Sequence, residues 1–173
     1  MHDAHLQGLL RDLQHGDRAA LEALYRELST PIYTVILRMT KDIPLAEDIL
    51  QEFFVKLFRQ PPAVIPRNPR AYLFQTAHHL TVDFLRRERP VETLETHAHR
   101  IGAFAPPSAE RLDLERALSR LDGTDREIVL LHAAAGLKLR EVAEVLSMPL
   151  GTVLWRHRRA VDALRQQLNG GTL

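Results

Sequence analysis

A chain of 173 residues, 45% apolar and 26% charged, suits one medium or two small soluble globular domains and excludes disordered, collagen-like and membrane-embedded classes. No apolar run nears the roughly 20 residues that cross a bilayer, and Met1 to Leu13 is too polar for the centre of a secretory signal, so a cytoplasmic protein without direct membrane insertion is expected. The lack of cysteine rules out disulfides, cysteine-based zinc sites and thiol nucleophiles, and the net charge of +1 is spread so evenly that no long segment is basic overall.

Helical spacing dominates residues 1–90. Leu21, Leu24, Tyr25 and Leu28 form an i, i+3, i+4, i+7 stripe, with Asp17 placed to cap its start. Pro31 resets the chain, and Ile32, Val35, Ile36 and Met39 carry a second helix. After a break at Lys41 to Pro44, a third shows a wide apolar face of Leu45, Ile49, Leu50, Phe53, Phe54, Leu57 and Phe58, which Pro61 and Pro62 terminate. Gln60 to Pro69 holds four prolines in ten residues and reads as a stiff loop. A fourth helix runs from about Arg70 to Arg87 along Leu73, Phe74, Ala77, Leu80, Thr81, Phe84 and Leu85. Alternating β-type patterns of useful length are absent, so an all-α fold is predicted, with these four helices around one core.

From Pro90 to about Arg111 the periodicity fails, and Gly102, Pro106, Pro107 and Ser108 replace it. A structureless loop of that length is unusual inside one compact domain, so 91–111 reads as a flexible linker between a 1–90 domain and a 112–173 domain. Beyond it lie a short helix (Leu112 to Leu121), a helix from about Thr124 to Ala135 with Gly136 as its C′ glycine, and a final pair around a tight turn. In that pair Ala143, Ser147 and Val153 have helix-turn-helix spacing: a small residue for close approach, a turn residue, and an apolar residue filling the gap. Thr152 and the nearby amides then stand at a helix N-terminus, where a DNA phosphate is favoured, and Arg156 and Arg159 reach phosphate or base edges. A helical hairpin that touches no DNA has the same local spacing. The clusters Arg86, Arg87, Arg89 and Arg156, His157, Arg158, Arg159 likewise fit solvated helix termini.

Across the whole chain these segments resemble the extracytoplasmic-function sigma factors, the small two-domain class of bacterial RNA polymerase sigma subunit. Leu45 to Phe58, through Ala46, Glu47, Asp48, Gln51, Glu52 and Phe54, is similar to that family's core-polymerase-binding helix in sigma region 2. Asn68-Pro69-Arg70-Ala71-Tyr72-Leu73-Phe74, running on to Asp83-Phe84-Leu85-Arg86-Arg87, is similar to its minus-ten helix. Leu121 to Leu164, through Gly136-Leu137, Glu141, Ala143-Glu144, Leu146, Gly151-Thr152-Val153, Arg156 and Arg159-Ala160, is similar to its minus-thirty-five-binding region 4.

The resemblance implies core-polymerase contact by Asp48, Gln51, Glu52, Phe54 and Val55, against the clamp coiled coil of the largest subunit. The spacing of Asp48, Gln51, Glu52 and Val55 puts acid, amide and apolar groups on one helical face, which suits a basic partner helix; acids near a helix start are also ordinary dipole partners. For the minus-ten element it implies Asn68, Tyr72, His78, His79, Arg86, Arg87 and Arg89, with the preceding proline loop helping to choose the captured base. Planar side chains hold unstacked bases while cations track the backbone. Tyr72 reads equally as a part-buried core residue and His78 as a surface one. His78-His79 departs from the family's common basic residue followed by Asn, and the two side chains diverge by about 100°, too far to share a metal ion easily.

For the minus-thirty-five element the resemblance implies Thr152, Leu154, Trp155, Arg156, Arg158 and Arg159. Leu154-Trp155 replaces a polar pair: Leu154 fits a thymine methyl and Trp155 the sugar-phosphate backbone, or both pack on the linker or on an inhibitory partner. Ser147 replaces the usual turn glycine, a strain if its φ is positive.

The expected function is that of an alternative sigma factor, with core RNA polymerase, promoter DNA and an anti-sigma factor as partners and with neither cofactor nor metal. Nucleophile-elbow, phosphate-loop and metal-ligand patterns are missing, so an enzyme is not expected. The competing readings are a stand-alone helix-turn-helix regulator, for which Asp48, Gln51 and Glu52 are dispensable, and a sigma-like module that titrates an anti-sigma factor.

Overall fold

The computed structural model describes residues 2–88 and 109–169, which form two compact all-helical units. The expected 91–111 linker lies outside the described residues except for 109–111, which open a helix. Among the described residues no helix is long and apolar enough to cross a membrane.

The first unit contains α1 (His2–Gln14), α2 (Arg18–Thr40), α3 (Ile43–Arg59) and α4 (Pro69–Glu88). Four helices do share a core, but not the four expected. Asp17 caps α2 as predicted, its carboxylate accepting from the Ala19 N–H at 2.8 Å. The helix then continues through Pro31, although proline cannot donate the backbone bond to Glu27. Leu24, Leu28, Ile32, Val35 and Ile36 all bury on the two sides of that proline. At about 1.5–3 kcal/mol each, their burial outweighs the roughly 3 kcal/mol of an interior proline. The fourth helix is α1, whose Leu6, Leu10 and Leu13 are buried.

α1 also anchors the proline loop. Gln7 donates to the carbonyls of Pro66 and Arg67 at 3.2 and 3.3 Å, and Gln14 to those of Pro62 and Ala63 at 2.6 and 3.2 Å. These two amides lie seven positions apart, on one face of the helix, and meet loop carbonyls that no helix or strand satisfies.

The second unit contains α5 (Ala109–Ser119), α6 (Gly123–Ala133), α7 (Leu139–Val145) and α8 (Leu150–Asn169). Ala117, Leu118, Leu121, Val129, Leu130, Ala160 and Leu164 form one cluster that ties α5 and α6 to α8. Arg126 donates from Nε to Leu118 O at 2.8 Å and from Nη2 to Ser119 and Leu121 O at 2.8 and 3.0 Å, satisfying carbonyls left open at the end of α5. Gly136 takes φ +69° in the turn after α6. Ala143 and Val153 are both buried, so α7 and α8 pack with helix-turn-helix geometry. The turn between them closes through Met148 N–H to Ala143 O at 2.9 Å, with Ser147 at φ +52°.

Candidate functional site

In α3, Asp42 fixes the rotation of the helix by accepting from the Leu45 N–H at 3.0 Å, with Pro44 in the first turn. From that start Ala46, Ile49, Phe53 and Leu57 fall inward and Asp48, Gln51 and Glu52 fall outward, exposed. Val55 is half-buried at the edge of this face. Phe54, expected on the docking face, is buried instead: its ring centroid lies 4.9 Å from Tyr25 and 5.0 Å from Phe53. Its aromatic surface is used inside the unit because α2 covers that side of α3. Beside the exposed face, Glu52, Val55 and Lys56 line a shallow cleft together with Asp83, Phe84 and Arg87 of α4.

Asn68 caps α4: its side-chain oxygen accepts from the Ala71 N–H at 3.1 Å. Tyr72 and His78 are half-buried, whereas His79, Arg86 and Arg87 are exposed; Arg89 lies outside the described residues. The His78 and His79 rings stand 6.0 Å apart between centroids, diverging as helix neighbours do. Arg70, absent from the sequence-based set, lays its guanidinium 5.5 Å from the Phe74 ring centre. The cations at the end of α4 are thus separated from Asn68 by the length of the helix, and the proline loop is held to α1.

In α8, Thr152 is half-buried in the first turn, and Leu154, Trp155 and Arg158 are exposed, Trp155 to 58%. Arg156 and Arg159, expected at phosphate or base edges, turn toward α6. Arg156 Nη1 donates to Asp125 Oδ1 at 2.8 Å and to Asp122 Oδ2 at 2.9 Å. Arg159 donates to Asp125 Oδ2 through Nε at 3.0 Å and through Nη2, and its guanidinium carbon sits 4.7 Å from the Trp155 ring centre. Asp125 is 3% exposed. Burial alone raises its pKa, but the hydrogen bonds from Arg159 and Arg156 and the charges behind them outweigh it and hold the carboxyl below its ordinary value. The Asp125 and Asp122 bonds raise Arg156 in turn.

Sequence reasoning missed Asp122 and Asp125, because acids at the start of α6 look like ordinary dipole partners and their arginines lie 31 or more positions away. His132 and His157 form a second pair between α6 and α8, with perpendicular rings 4.9 Å apart and His132 Nδ1 2.7 Å from Leu137 O. Burial, then the nearby His132, lowers the His157 pKa.

Family models match both units. The sigma-70 region 2 model covers residues 24–91 and the sigma-70 region 4 model residues 111–164. Among curated proteins, the chain is 27% identical to the ECF RNA polymerase sigma factor SigW of Bacillus subtilis, over 92% of this chain and 94% of that one. It is 29% identical to SigK of Mycolicibacterium vanbaalenii, over 95% and 90% respectively. Among solved structures, CnrH bound to the cytosolic domain of CnrY shares the fold with a TM-score of 0.72 at 24% identity, over 96% of this chain and 98% of that one. The sigma factor RpoE of Bartonella quintana, bound to the anti-sigma factor NepR, does so with a TM-score of 0.62 at 21% identity, over 88% and 99%. With both regions present in the family's order, the chain belongs to the sigma-70 family as an extracytoplasmic-function sigma factor, a transcription-initiation factor and not an enzyme.

Proposed function

We propose that α3 docks this sigma factor on core RNA polymerase through Asp48, Gln51, Glu52 and Val55, with Phe54 buttressing that face from inside. The observation that carries this reading is the division of α3: its apolar side is spent on the core while Asp48, Gln51 and Glu52 on its other side are exposed. Such a face is complementary to a basic helix of a partner. Asn68 and the proline loop, Tyr72, His78, His79, Arg86, Arg87 and Arg89 act on the minus-ten element, the planar groups on unstacked bases and the arginines on phosphates. Thr152, Leu154, Trp155 and Arg158 face the minus-thirty-five element. The protein works in the cytoplasm, and an anti-sigma factor controls it. The solved RpoE of similar fold is itself held by an anti-sigma factor.

The test is comigration of the purified chain with bacterial core RNA polymerase on a native gel. The double variant Asp48→Lys, Glu52→Lys is expected to lose binding while keeping its helical circular dichroism, since both residues are exposed. Full binding by the folded double variant would overturn the assignment of α3.

A further inference from the structure

We propose that Asp125 sets how much positive charge the recognition helix shows to DNA: it neutralises Arg156 and Arg159 within the unit and leaves Arg158 to meet the phosphates. The inference rests on the promoter-binding reading of α8 given above.

The three arginines lie within four positions of one helix, and only the geometry separates them. Asp125 is buried with both carboxylate oxygens in use, Oδ1 by Arg156 and Oδ2 by Arg159. These are charge-assisted bonds, stronger than neutral ones. Drawing an arginine away to a phosphate would strip a buried anion of a partner, which is strongly unfavourable. Each guanidinium has a second hold besides: Asp122 on Arg156, and the Trp155 ring on Arg159. Among the described residues Arg158 makes no such contact, and it is exposed next to Trp155 and Leu154.

Arg159 stays exposed at the surface. With its charge and that of Arg156 matched by the acids of α6, however, the outward face around Leu154 and Trp155 carries little net charge and suits groove contacts such as thymine methyls more than dense phosphate binding. Sequence-independent affinity scales with the number of phosphates neutralised, at about 0.9 log units of salt dependence per contact. Withdrawing two arginines lowers non-specific binding and gives specific contacts a larger share of the total.

The experiment measures binding of the full chain to a fluorescein-labelled, random-sequence DNA duplex by anisotropy across a series of salt concentrations, starting from low ionic strength. Arg158→Gln is expected to reduce the log–log salt slope by about one unit, and Arg159→Gln to leave it unchanged. Asp125→Asn keeps the shape of the side chain but releases Arg159. It is expected to steepen the slope by about one unit and to tighten binding at low salt; if the wild type binds too weakly to measure, the gain of measurable binding in Asp125→Asn is the same result. An equal loss of slope in Arg159→Gln and Arg158→Gln would overturn the proposal, as would a folded Asp125→Asn that binds as the wild type does. If Asp125→Asn fails to fold, judged by Trp155 fluorescence, the comparison of Arg158→Gln with Arg159→Gln decides alone. DNA binding lost by neither Arg158→Gln nor a Leu154→Ala, Trp155→Ala double variant would overturn the promoter-binding reading of α8 itself. Binding that depends on these residues but ignores Asp125→Asn would overturn this proposal alone, so the two failures are distinguishable.

Discussion

The two units each hold one candidate docking helix, α3 and α8, and they orient it by different forces. In residues 2–88 the buried side chains are apolar apart from Thr81, whose hydroxyl donates back to Ala77 O at 2.7 Å. Phenylalanine, leucine and isoleucine from four helices fix α3 by shape. Residues 109–169 bury two carboxylates, Asp125 and Glu141. Glu141 accepts from the Lys138 N–H at 2.7 Å and sets the start of α7; Asp125 sets the position of α8. A small unit has fewer large apolar residues with which to lock a helix by shape, and hydrogen bonds are directional where apolar contact is not. Buried ion pairs often stabilise no better than apolar residues of similar volume. What the second unit gains is direction, and through Asp125 it thereby becomes sensitive to acid.

The largest expected effect tests the apolar half of that contrast. Phe53 is fully buried, and Phe53→Ala should destabilise the first unit by about 3–5 kcal/mol. Denaturation followed by circular dichroism should show that loss undiminished between neutral and mildly acidic pH. A strong pH dependence of the loss would mean that charge holds the first unit too.

Asp125→Ala comes next. It leaves two arginines without their buried acceptor, and about 3 kcal/mol is expected, the lower end for a broken buried pair because both cations can return to water. Trp155, the single tryptophan in the sequence, reports this unit by fluorescence. The Asp125 carboxyl is held below its ordinary value in the folded state, so its contribution is complete above the unfolded value near pH 4 and disappears as the pH falls through the folded one. The difference between Asp125→Ala and wild type should therefore shrink in acid. A constant difference would show that the lost contacts, not the charge, matter.

His157 gives a smaller effect in a milder range. Its lowered pKa means that the unfolded chain takes up a proton first, near the ordinary histidine value of about 6.5. Stability of the second unit is then complete above that value and declines as the pH falls from there toward the folded pKa. His157→Gln should flatten the profile between about pH 7 and pH 5, and a profile of unchanged slope would remove His157 from the account.

How far the sequence revealed all this depends on the range of the interactions. The helix-turn-helix was legible because Ala143, Ser147 and Val153 lie within ten positions, and helical periodicity reports packing over that distance. The outward acids of α3 were legible for the same reason. The leucine stripe of α1 was present in Leu6, Leu10 and Leu13 but short. Pro31 misled because a local rule yielded to burial on both sides of it. Phe54 was misplaced because the apolar face of α3 is too wide for spacing to say where α2 stops covering it. The engagement of Arg156 and Arg159 was beyond reach, since nothing near either residue points to an acid more than thirty positions earlier.

The smallest expected effect concerns the turn that shares with Asp125 the task of aiming α8. Ser147 holds φ +52°, a region where a Cβ costs roughly 1 kcal/mol or more, while the Ser147 and Met148 N–H groups bond back to Glu144 and Ala143 at 3.2 and 2.9 Å. Ser147→Gly removes the strain but loosens the unfolded chain, which offsets about 0.4–1 kcal/mol. A net gain of about 0.5 kcal/mol is expected, read as a small rise in the Trp155 denaturation midpoint, whereas Ser147→Ala keeps its Cβ and should show none. Equal behaviour of the glycine and alanine variants would mean that the backbone relaxes around Ser147 without strain, and the orientation of α8 would then depend more heavily on the buried carboxylate of α6.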